Sequence, residues 1–272
     1  MRGAMKRRAI VAVAKCLADC KTIELVAVLL LACSTATAQL VIGPIAVEFG
    51  VKQRVAAVTV KLDDGAKLPM RLQAEVLRWR QDLAGEAVTE ETDELLVTPP
   101  MAELQAGQRQ VFRLALRGKR PAPEELAYRL ILEDISESTT STEVAPGMVI
   151  NFRMRHDLPV VVAPTGPVIN LLRWKPCPLE TASTPVKPST ARGTEACVRL
   201  LNAGNRRVKV QTLTLTGDNW QQALPLKDGV NVLAGAEREW RVPLQAGQTG
   251  ALRGVQVNTA RGETLQAEAG GF

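Results

Sequence analysis

Apolar and polar side chains alternate along much of this chain, and a period of two is the pattern of β-strands with one buried and one polar face. Between residues 56 and 62 the even positions are apolar, so Val58, Val60 and Leu62 are expected to face a core. The same alternation recurs at 70–76, 112–117, 126–133 and 150–155. The sequence therefore predicts a chain built largely of short strands.

Turn-forming residues separate the predicted strands and divide the chain in two. Signals containing Gly or Pro lie at 64–65, 84–85, 99–100, 106–107 and 121–123, and no long amphipathic helix follows residue 38. Pro164-Thr165-Gly166-Pro167 marks a boundary, after which strands are predicted at 168–174, 196–201, 208–215, 239–244 and 255–258. We therefore predict an all-β protein with two β-sandwich domains, 39–164 and 165–272, each the size of a seven-stranded immunoglobulin-like domain of about 100 residues.

The first 38 residues have the features of a cleavable secretory signal peptide. Lys6, Arg7 and Arg8 form a basic start, an apolar run covers 25–31, and Ala36-Thr37-Ala38 supplies small residues before a cleavage site at Gln39. The apolar run is too short to span a bilayer, so we predict no membrane insertion of the mature chain. Two alternatives stay open, namely translation from Met5 and a lipoprotein-type cleavage before Cys33.

Removing this leader changes the meaning of the net charge. The full chain of 272 residues carries +6 and has a sequence pI of about 9.2. The leader holds six basic and two acidic residues, so the mature chain would carry 28 basic and 26 acidic residues, a net charge of only +2. Such a balance gives no support for nucleic-acid binding.

Two cysteines, Cys177 and Cys197, would remain in the mature chain. An even pair in an exported protein predicts a disulfide, which in the chain-entropy description stabilises a loop of this length by roughly 3 kcal/mol. A two-cysteine metal site is the alternative, although no histidine lies near either cysteine.

Residues that carry catalysis are scarce. The chain has one histidine, His156, and the sequence indicates no serine and aspartate partners for it. It contains no metal-ligand cluster, phosphate-binding loop or dinucleotide fingerprint, and Asp63-Asp64-Gly65 is a turn and not a calcium loop. We therefore predict a protein that is not an enzyme and that uses no cofactor or metal.

Several short motifs follow one another in an order that resembles a known family. They are Trp79 with Gln81, the run 95–100, Leu104, Gly107-Gln108, 112–114, Glu125, 128–130, 133–135, 152–155, 158–160, 200–204, and Gly235 before Arg238 and Trp240. Together they resemble the periplasmic chaperones of the chaperone–usher pilus pathway, the PapD-like family, and most of all its archaic or alternative branch. The resemblance covers the mature chain, with the more specific motifs in the first domain.

The resemblance implies two immunoglobulin-like sandwiches in a boomerang arrangement and a chaperone located in the periplasm. Such chaperones bind newly exported pilus subunits, which are sandwiches lacking one strand, and pass them to an outer-membrane usher. The chaperone lends one of its own strands to the subunit, which is the donor-strand form of β-augmentation. No nucleotide or cofactor takes part.

The segment that the resemblance assigns to the donor strand is 150–155. Ile150, Phe152 and Met154 alternate with Asn151, Arg153 and Arg155, so the three apolar side chains are expected to enter the groove of a subunit. Each insertion would contribute roughly 1.5–3 kcal/mol before ordering is counted. By pattern alone, the same segment also fits an ordinary inner strand of the chaperone.

Family members also hold the terminal carboxylate of the subunit with basic residues in the cleft between the domains. Arg155, with Arg153 beside it, matches one such position. At the other, in the first strand, this chain has Glu48, and Lys52 or Arg54 is the expected substitute. A solvated strand face is the simpler interpretation of Arg153 and Arg155.

Two further arginines of the family pattern, Arg113 and Arg129, are expected to be structural and to pair with acids such as Glu75 or Glu133.

Two other functions compete with that of a chaperone. One is a secreted structural pilus subunit or adhesin with immunoglobulin-like domains. The other is an exported enzyme with β-sandwich modules, for which catalytic residues are lacking.

Overall fold

The computed structural model describes residues 40–118, 123–136, 141–145, 148–151, 153–178, 195–248 and 250–272, and for 141–151 it describes the backbone alone. The predicted leader, 1–38, and the donor residue Phe152 lie outside these residues. Throughout the described part, regular secondary structure is β-strand and no helix occurs. In keeping with this, the described residues contain no helix of the length and apolar character needed to cross a membrane.

The first half of the described chain forms two packed sheets and a separate hairpin. Its strands are β1 (Leu40–Gly43), β2 (Val47–Phe49), β3 (Val55–Leu62), β4 (Met70–Gln81), β5 (Ala87–Glu91), β6 (Leu95–Thr98), β7 (Met101–Leu104), β8 (Arg109–Leu116), β9 (Leu126–Asp134), β10 (Ser141–Ala145), β11 (Met148–Asn151) and β12 (Arg155–Val162). One sheet has the order β1-β3-β8-β6, and the other has the order β2-β12-β9-β4-β5 with β7 also beside β4. Neighbouring strands are antiparallel except β2 and β12, which are parallel.

The alternation in the sequence accounts for the core of this first sandwich. Val58, Val60 and Leu62 of β3 are completely buried, as their even positions predict. Leu126, Tyr128, Leu130 and Leu132 of β9 are also buried against them from the facing sheet. Burial of one face of each strand is the main contribution to its stability.

The second half forms one sheet of seven strands around its own core. Its strands are β13 (Leu172–Pro176), β14 (Glu195–Asn202), β15 (Val208–Gly217), β16 (Gln221–Val232), β17 (Glu237–Pro243), β18 (Leu252–Thr259) and β19 (Thr264–Ala269). Their order is β16-β15-β18-β19-β13-β14-β17, and the pairing of β13 with β19 is parallel. The strand predicted at 168–174 begins only at Leu172, because 168–171 follows the boundary prolines as an irregular segment.

A third, smaller apolar cluster joins the two halves. Trp79, Ala127 and Val161 of the first sandwich pack with Leu233 of the second, and each of the four is at most 6% exposed. The boundary at 164/165 and the boomerang arrangement stay predictions.

Candidate functional site

Strands β9 and β12 are continued by a second, smaller ladder. β12 pairs with β9 over its whole length. Farther along the same two chain segments β10 pairs with β11, and this pair belongs to neither sheet of the sandwich. Between the ladders the backbone N–H of Asp134 donates to the carbonyl oxygen of Met154 at 2.9 Å. The four strands therefore follow the course of one long antiparallel hairpin.

One edge of this hairpin is open. β2 covers β12 only at Val160–Val162. Among the described strands, β11 and the part of β12 at 155–159 have no neighbour on that side. An unpaired edge presents backbone N–H and C=O groups to which a strand of another chain can pair.

Of the three predicted donor residues, the structure describes Ile150 and Met154, which lie in different segments of this hairpin. Ile150 belongs to β11, and the side chain at that position lies outside the described residues, as does the whole of Phe152. Met154 precedes β12 in an irregular segment and is 55% exposed. An exposed apolar side chain beside an open edge fits the donor role, which stays a prediction.

The predicted anchor residues are dispersed. Arg155 opens β12 opposite Glu133, while Arg153 lies before the strand, and both are exposed. Among the described residues neither has an ion-pair partner, nor does the exposed Lys52. Arg54 differs, because its guanidinium donates to the carbonyl oxygens of Leu116 (2.8 Å) and Gly118. Arg54 therefore ties the start of β3 to the end of β8.

A cavity of about 280 Å³ lies between the two sandwiches, beside residues 159–161 of β12. The first sandwich contributes Glu48, Trp79, Pro159 and Val161 to its wall. Pro159 and Val161 are on the same side of β12 as Arg155 by alternation, but Arg155 is four residues from Pro159, a separation of about 13 Å along a strand. Arg155 is thus not part of the cavity wall.

The second sandwich supplies the basic residues of the cavity, and sequence reasoning missed them. Arg206, Arg207, Lys209 and Arg261 line it, against Glu48 and Glu263 as the acidic lining residues. Arg206 and Arg207 follow the motif at 200–204 after one residue, Asn205. The two adjacent arginines were the available sign of this basic site in the sequence. Nothing in the sequence, however, shows that these arginines lie beside β2 and β12.

Arg207 is the centre of an ion-pair network across the two sandwiches. Its guanidinium donates to Glu125 at 2.7 Å and to Glu48, while its backbone N–H donates to Glu125 at 3.1 Å. The Glu125 side chain is only 4% exposed, whereas that of Glu48 is 63% exposed. Glu125 is therefore a buried structural acid, and Glu48 is the accessible member.

The family arginine Arg129 has a different partner from the one predicted. Its guanidinium lies 3.7 Å from the ring centroid of Trp79 and pairs with Asp157 at 3.4 Å, so the expected pairing with Glu75 or Glu133 is wrong. The reason is register, since Asp157 lies on the adjacent strand β12, two positions from Pro159, the residue opposite Arg129, and therefore on the same face of the sheet. Stacking on an indole and pairing with a carboxylate together hold Arg129 in a structural role.

The neighbouring motif residue Tyr128 is fully buried, and its hydroxyl donates to Glu94 at 2.7 Å. Burial, assisted by this hydrogen bond, raises the pKa of Tyr128 above its ordinary value.

Arg113 is exposed on β8, in the sheet opposite to the one that carries Glu75 and Glu133. The predicted pairing of Arg113 with these acids is therefore also wrong.

The cysteine pair and the histidine show no catalytic or metal arrangement. Cys177 and Cys197 are joined in a disulfide between β13 and β14, so their sulfurs are bonded to each other and the metal alternative fails. Glu239 lies near them, but a disulfide leaves no thiolate for a metal. The buried Nε2 of His156 has no hydrogen-bond partner within the described structure, where a catalytic base would need one.

Comparisons with known structures agree with the all-β, two-sandwich fold. A chain of the CsuC–CsuE chaperone–tip adhesion subunit pre-assembly complex from archaic chaperone–usher Csu pili of Acinetobacter baumannii matches with a TM-score of 0.56 and 17% identity, covering 86% of this chain and 100% of that one. The Class 5 fimbriae chaperone CfaA matches with a TM-score of 0.56 and 14% identity over 86% and 100%. A chain of a chaperone–tip adhesin complex of CFA/I fimbriae biogenesis matches with a TM-score of 0.54 and 14% identity over 85% and 99%. A comparison with curated protein sequences gave no match.

These matches define the class of the fold, two immunoglobulin-like sandwiches in one chain. Residues 39–167 match the family described as pili and flagellar-assembly chaperone, PapD N-terminal domain. The part of the chain that forms the first sandwich therefore matches the PapD-like family of fimbrial chaperones, which confirms the resemblance seen in the sequence.

Proposed function

We propose that this protein binds pilus subunits in the periplasm by donor-strand complementation and delivers them to an outer-membrane usher. The observation that carries the proposal is the open edge formed by β11 and 155–159. An incomplete subunit exposes an apolar groove and unpaired strand edges, and an edge of this kind can supply the missing strand. Subunit partners also appear in the two complexes named above, which contain a tip adhesion subunit and a tip adhesin.

Within this proposal, Ile150, Phe152 and Met154 fill the groove, and Arg155, with Arg153 or Lys52, contacts the terminal carboxylate of the subunit. Arg54 is the weakest of the proposed anchors, because its donors already serve two backbone carbonyls. The role is one of binding, and no cofactor, metal or nucleic acid is part of it. The competing role of a structural subunit with an incomplete sandwich is not favoured, since strands of this chain enclose the first core.

The direct test is co-expression of the full chain, leader included, with the pilus subunit encoded beside it, followed by purification from the periplasm. The expected result is a stable one-to-one complex, and loss of soluble subunit when the chaperone is omitted. A subunit that accumulates in folded form without the chaperone, and never co-purifies with it, would overturn the proposal.

A further inference from the structure

The end of β4 and the turn after it reach the second sandwich. We call residues 81–86 the β4–β5 turn segment. Its backbone is closed by two hydrogen bonds, from the N–H of Gly85 to the carbonyl of Asp82 at 2.9 Å and from the N–H of Asp82 to the carbonyl of Glu86 at 3.2 Å. This tight turn is therefore a preformed surface and not a loose loop.

Gln81 uses both ends of its carboxamide on the backbone of the second sandwich. Its Nε2 donates to the carbonyl oxygen of Asn231 at 3.0 Å, and its Oε1 accepts from the N–H of Leu233 at 2.9 Å. One donor and one acceptor in a fixed plane match one backbone carbonyl and one backbone N–H. A carboxylate could satisfy only the second of these groups, and an apolar side chain neither.

The turn also covers the open edge of β17, the outermost strand of the seven-stranded sheet. The N–H of Glu239 donates to the carbonyl oxygen of Leu83 at 2.7 Å. On the same strand, the guanidinium of Arg238 lies against Gly85, where a Cβ would come within 2.1 Å of its Nη1. Gly85 also has φ of +83°, so this position requires glycine for its backbone and for the close approach of Arg238.

Charge and apolar packing act at the same contact. Burial lowers the pKa of Arg238, and the carboxylates of Glu86 and Asp82 act in the opposite direction and favour its charged form. Leu233, whose N–H is held by Gln81, is 5% exposed and packs on Trp79. The contact therefore combines hydrogen bonds, an ionic attraction and a buried side chain.

This contact builds one wall of the cavity described above. Trp79 and Asn231 both line the cavity, and Gln81 connects them, since it follows Trp79 on β4 and binds the carbonyl of Asn231. We infer that Gln81 is a positioning residue whose carboxamide fixes the second sandwich against the first and so sets the distance between the open edge and the basic residues of the cavity. The consequence for binding rests on the proposed function, whereas the positioning itself does not.

The test compares Gln81→Glu and Gln81→Met with the wild type, using amide hydrogen exchange of Leu233 in the full mature chain. Near neutral pH both variants should exchange at least about tenfold faster than wild type at this amide, because a carboxylate facing the Asn231 carbonyl, or an apolar side chain, breaks the paired contact. Below the carboxyl pKa of about 4.3 the introduced carboxylic acid regains a donor, so Gln81→Glu should return towards the wild-type rate while Gln81→Met should not. Rates are compared with wild type at the same pH, because Asp82, Glu86 and Arg238 are charged groups of the same contact and Arg80 precedes Gln81 in the chain.

Gln73→Glu is the matched control, since Gln73 is exposed on the same strand and has no contact with the second sandwich among the described residues. It should leave the Leu233 amide at the wild-type rate. An unchanged Leu233 rate in both Gln81 variants, or a Gln81→Glu rate that shows no recovery at low pH, would overturn the inference. Subunit capture is measured in parallel and is expected to weaken about tenfold in Gln81→Met. If wild type captures no subunit, the proposed function fails while the exchange result still decides the role of Gln81.

Discussion

Replacing Glu125 with glutamine removes one negative charge from the contact between the two sandwiches and keeps the size of the side chain. The carboxylate of Glu125 is 4% exposed and accepts two hydrogen bonds from Arg207, one from the guanidinium at 2.7 Å and one from the backbone at 3.1 Å. Arg206 approaches the same carboxylate at 4.0 Å. The substitution therefore leaves a largely buried guanidinium beside a neutral group.

The magnitude follows from this geometry. Breaking a fully buried ion pair destabilises a protein by about 3–5 kcal/mol. Arg207 keeps a second carboxylate, Glu48, and its own side chain is 18% exposed, so the loss should be smaller. The glutamine oxygen can still accept from the backbone N–H. We therefore expect Glu125→Gln to lower the free energy of unfolding by about 1.5–3 kcal/mol, the range for a hydrogen bond to a charged group.

Unfolding in guanidinium chloride, monitored by tryptophan fluorescence, measures this loss of unfolding free energy. Trp79 reports on the first sandwich, and Trp174, Trp220 and Trp240 report on the second. Glu48→Gln is the matched control. It removes a charged partner of the same arginine. Because the Glu48 side chain is 63% exposed, the free energy of unfolding should fall by only about 0–1 kcal/mol. Equal losses for the two variants, or a Glu125→Gln loss below about 0.5 kcal/mol, would refute the reasoning from burial.

Three further predictions concern binding and the disulfide. Phe152→Asp should leave the chaperone folded and exported but unable to recover its subunit, because a charge in an apolar groove costs several kcal/mol; co-purification at wild-type yield would show that the donor strand is assigned wrongly. Arg155→Ala should weaken subunit affinity by roughly tenfold to a hundredfold, and more than Arg153→Ala, in a titration of purified proteins; equal affinities would exclude the proposed register. Protein isolated without reductant should have no thiol at Cys177 or Cys197 open to alkylation, and mass spectrometry that finds two modified cysteines would contradict the disulfide.

Strands β3, β4, β8 and β9 of the first sandwich were predictable because their burial is local in sequence, whereas β5, which is exposed throughout, was not predicted. Over 58–62 of β3 and 70–76 of β4 every second residue enters the core, so alternation alone identifies the buried face. The same reasoning is less complete for β16, whose residues are mostly exposed or half-buried and which the sequence did not predict. Burial alternates over 221–227 of this strand, but the half-buried positions carry large apolar side chains only at Leu224 and Leu226, so the period of two is too short to detect.

Site residues were harder to predict because they depend on contacts between distant parts of the chain. Arg207 meets Glu125 across 82 positions and Glu48 across 159, and no local pattern encodes such a meeting. Arg129 shows the same limit within one sheet, since its partner Asp157 is determined by the register between β9 and β12. Gln81 was visible as a motif residue, but its use as a link between sandwiches required the fold.

Glu48 lies in β2, at a position where the resemblance predicts a basic residue for the terminal carboxylate of a subunit. A terminal carboxylate requires positive charge near the cleft, and this requirement does not depend on which strand supplies it. In this protein Glu48 is itself bound by Arg207 of the second sandwich, and Lys209 and Arg261, which line the same cavity, have no ion-pair partner among the described residues. Arg54 cannot take over the role while it serves two backbone carbonyls. The positive charge that β2 lacks at position 48 is thus present on the opposite wall of the cavity. The comparison of Arg155 with Arg153 is therefore most informative when it is made alongside alanine variants of Lys209 and Arg261.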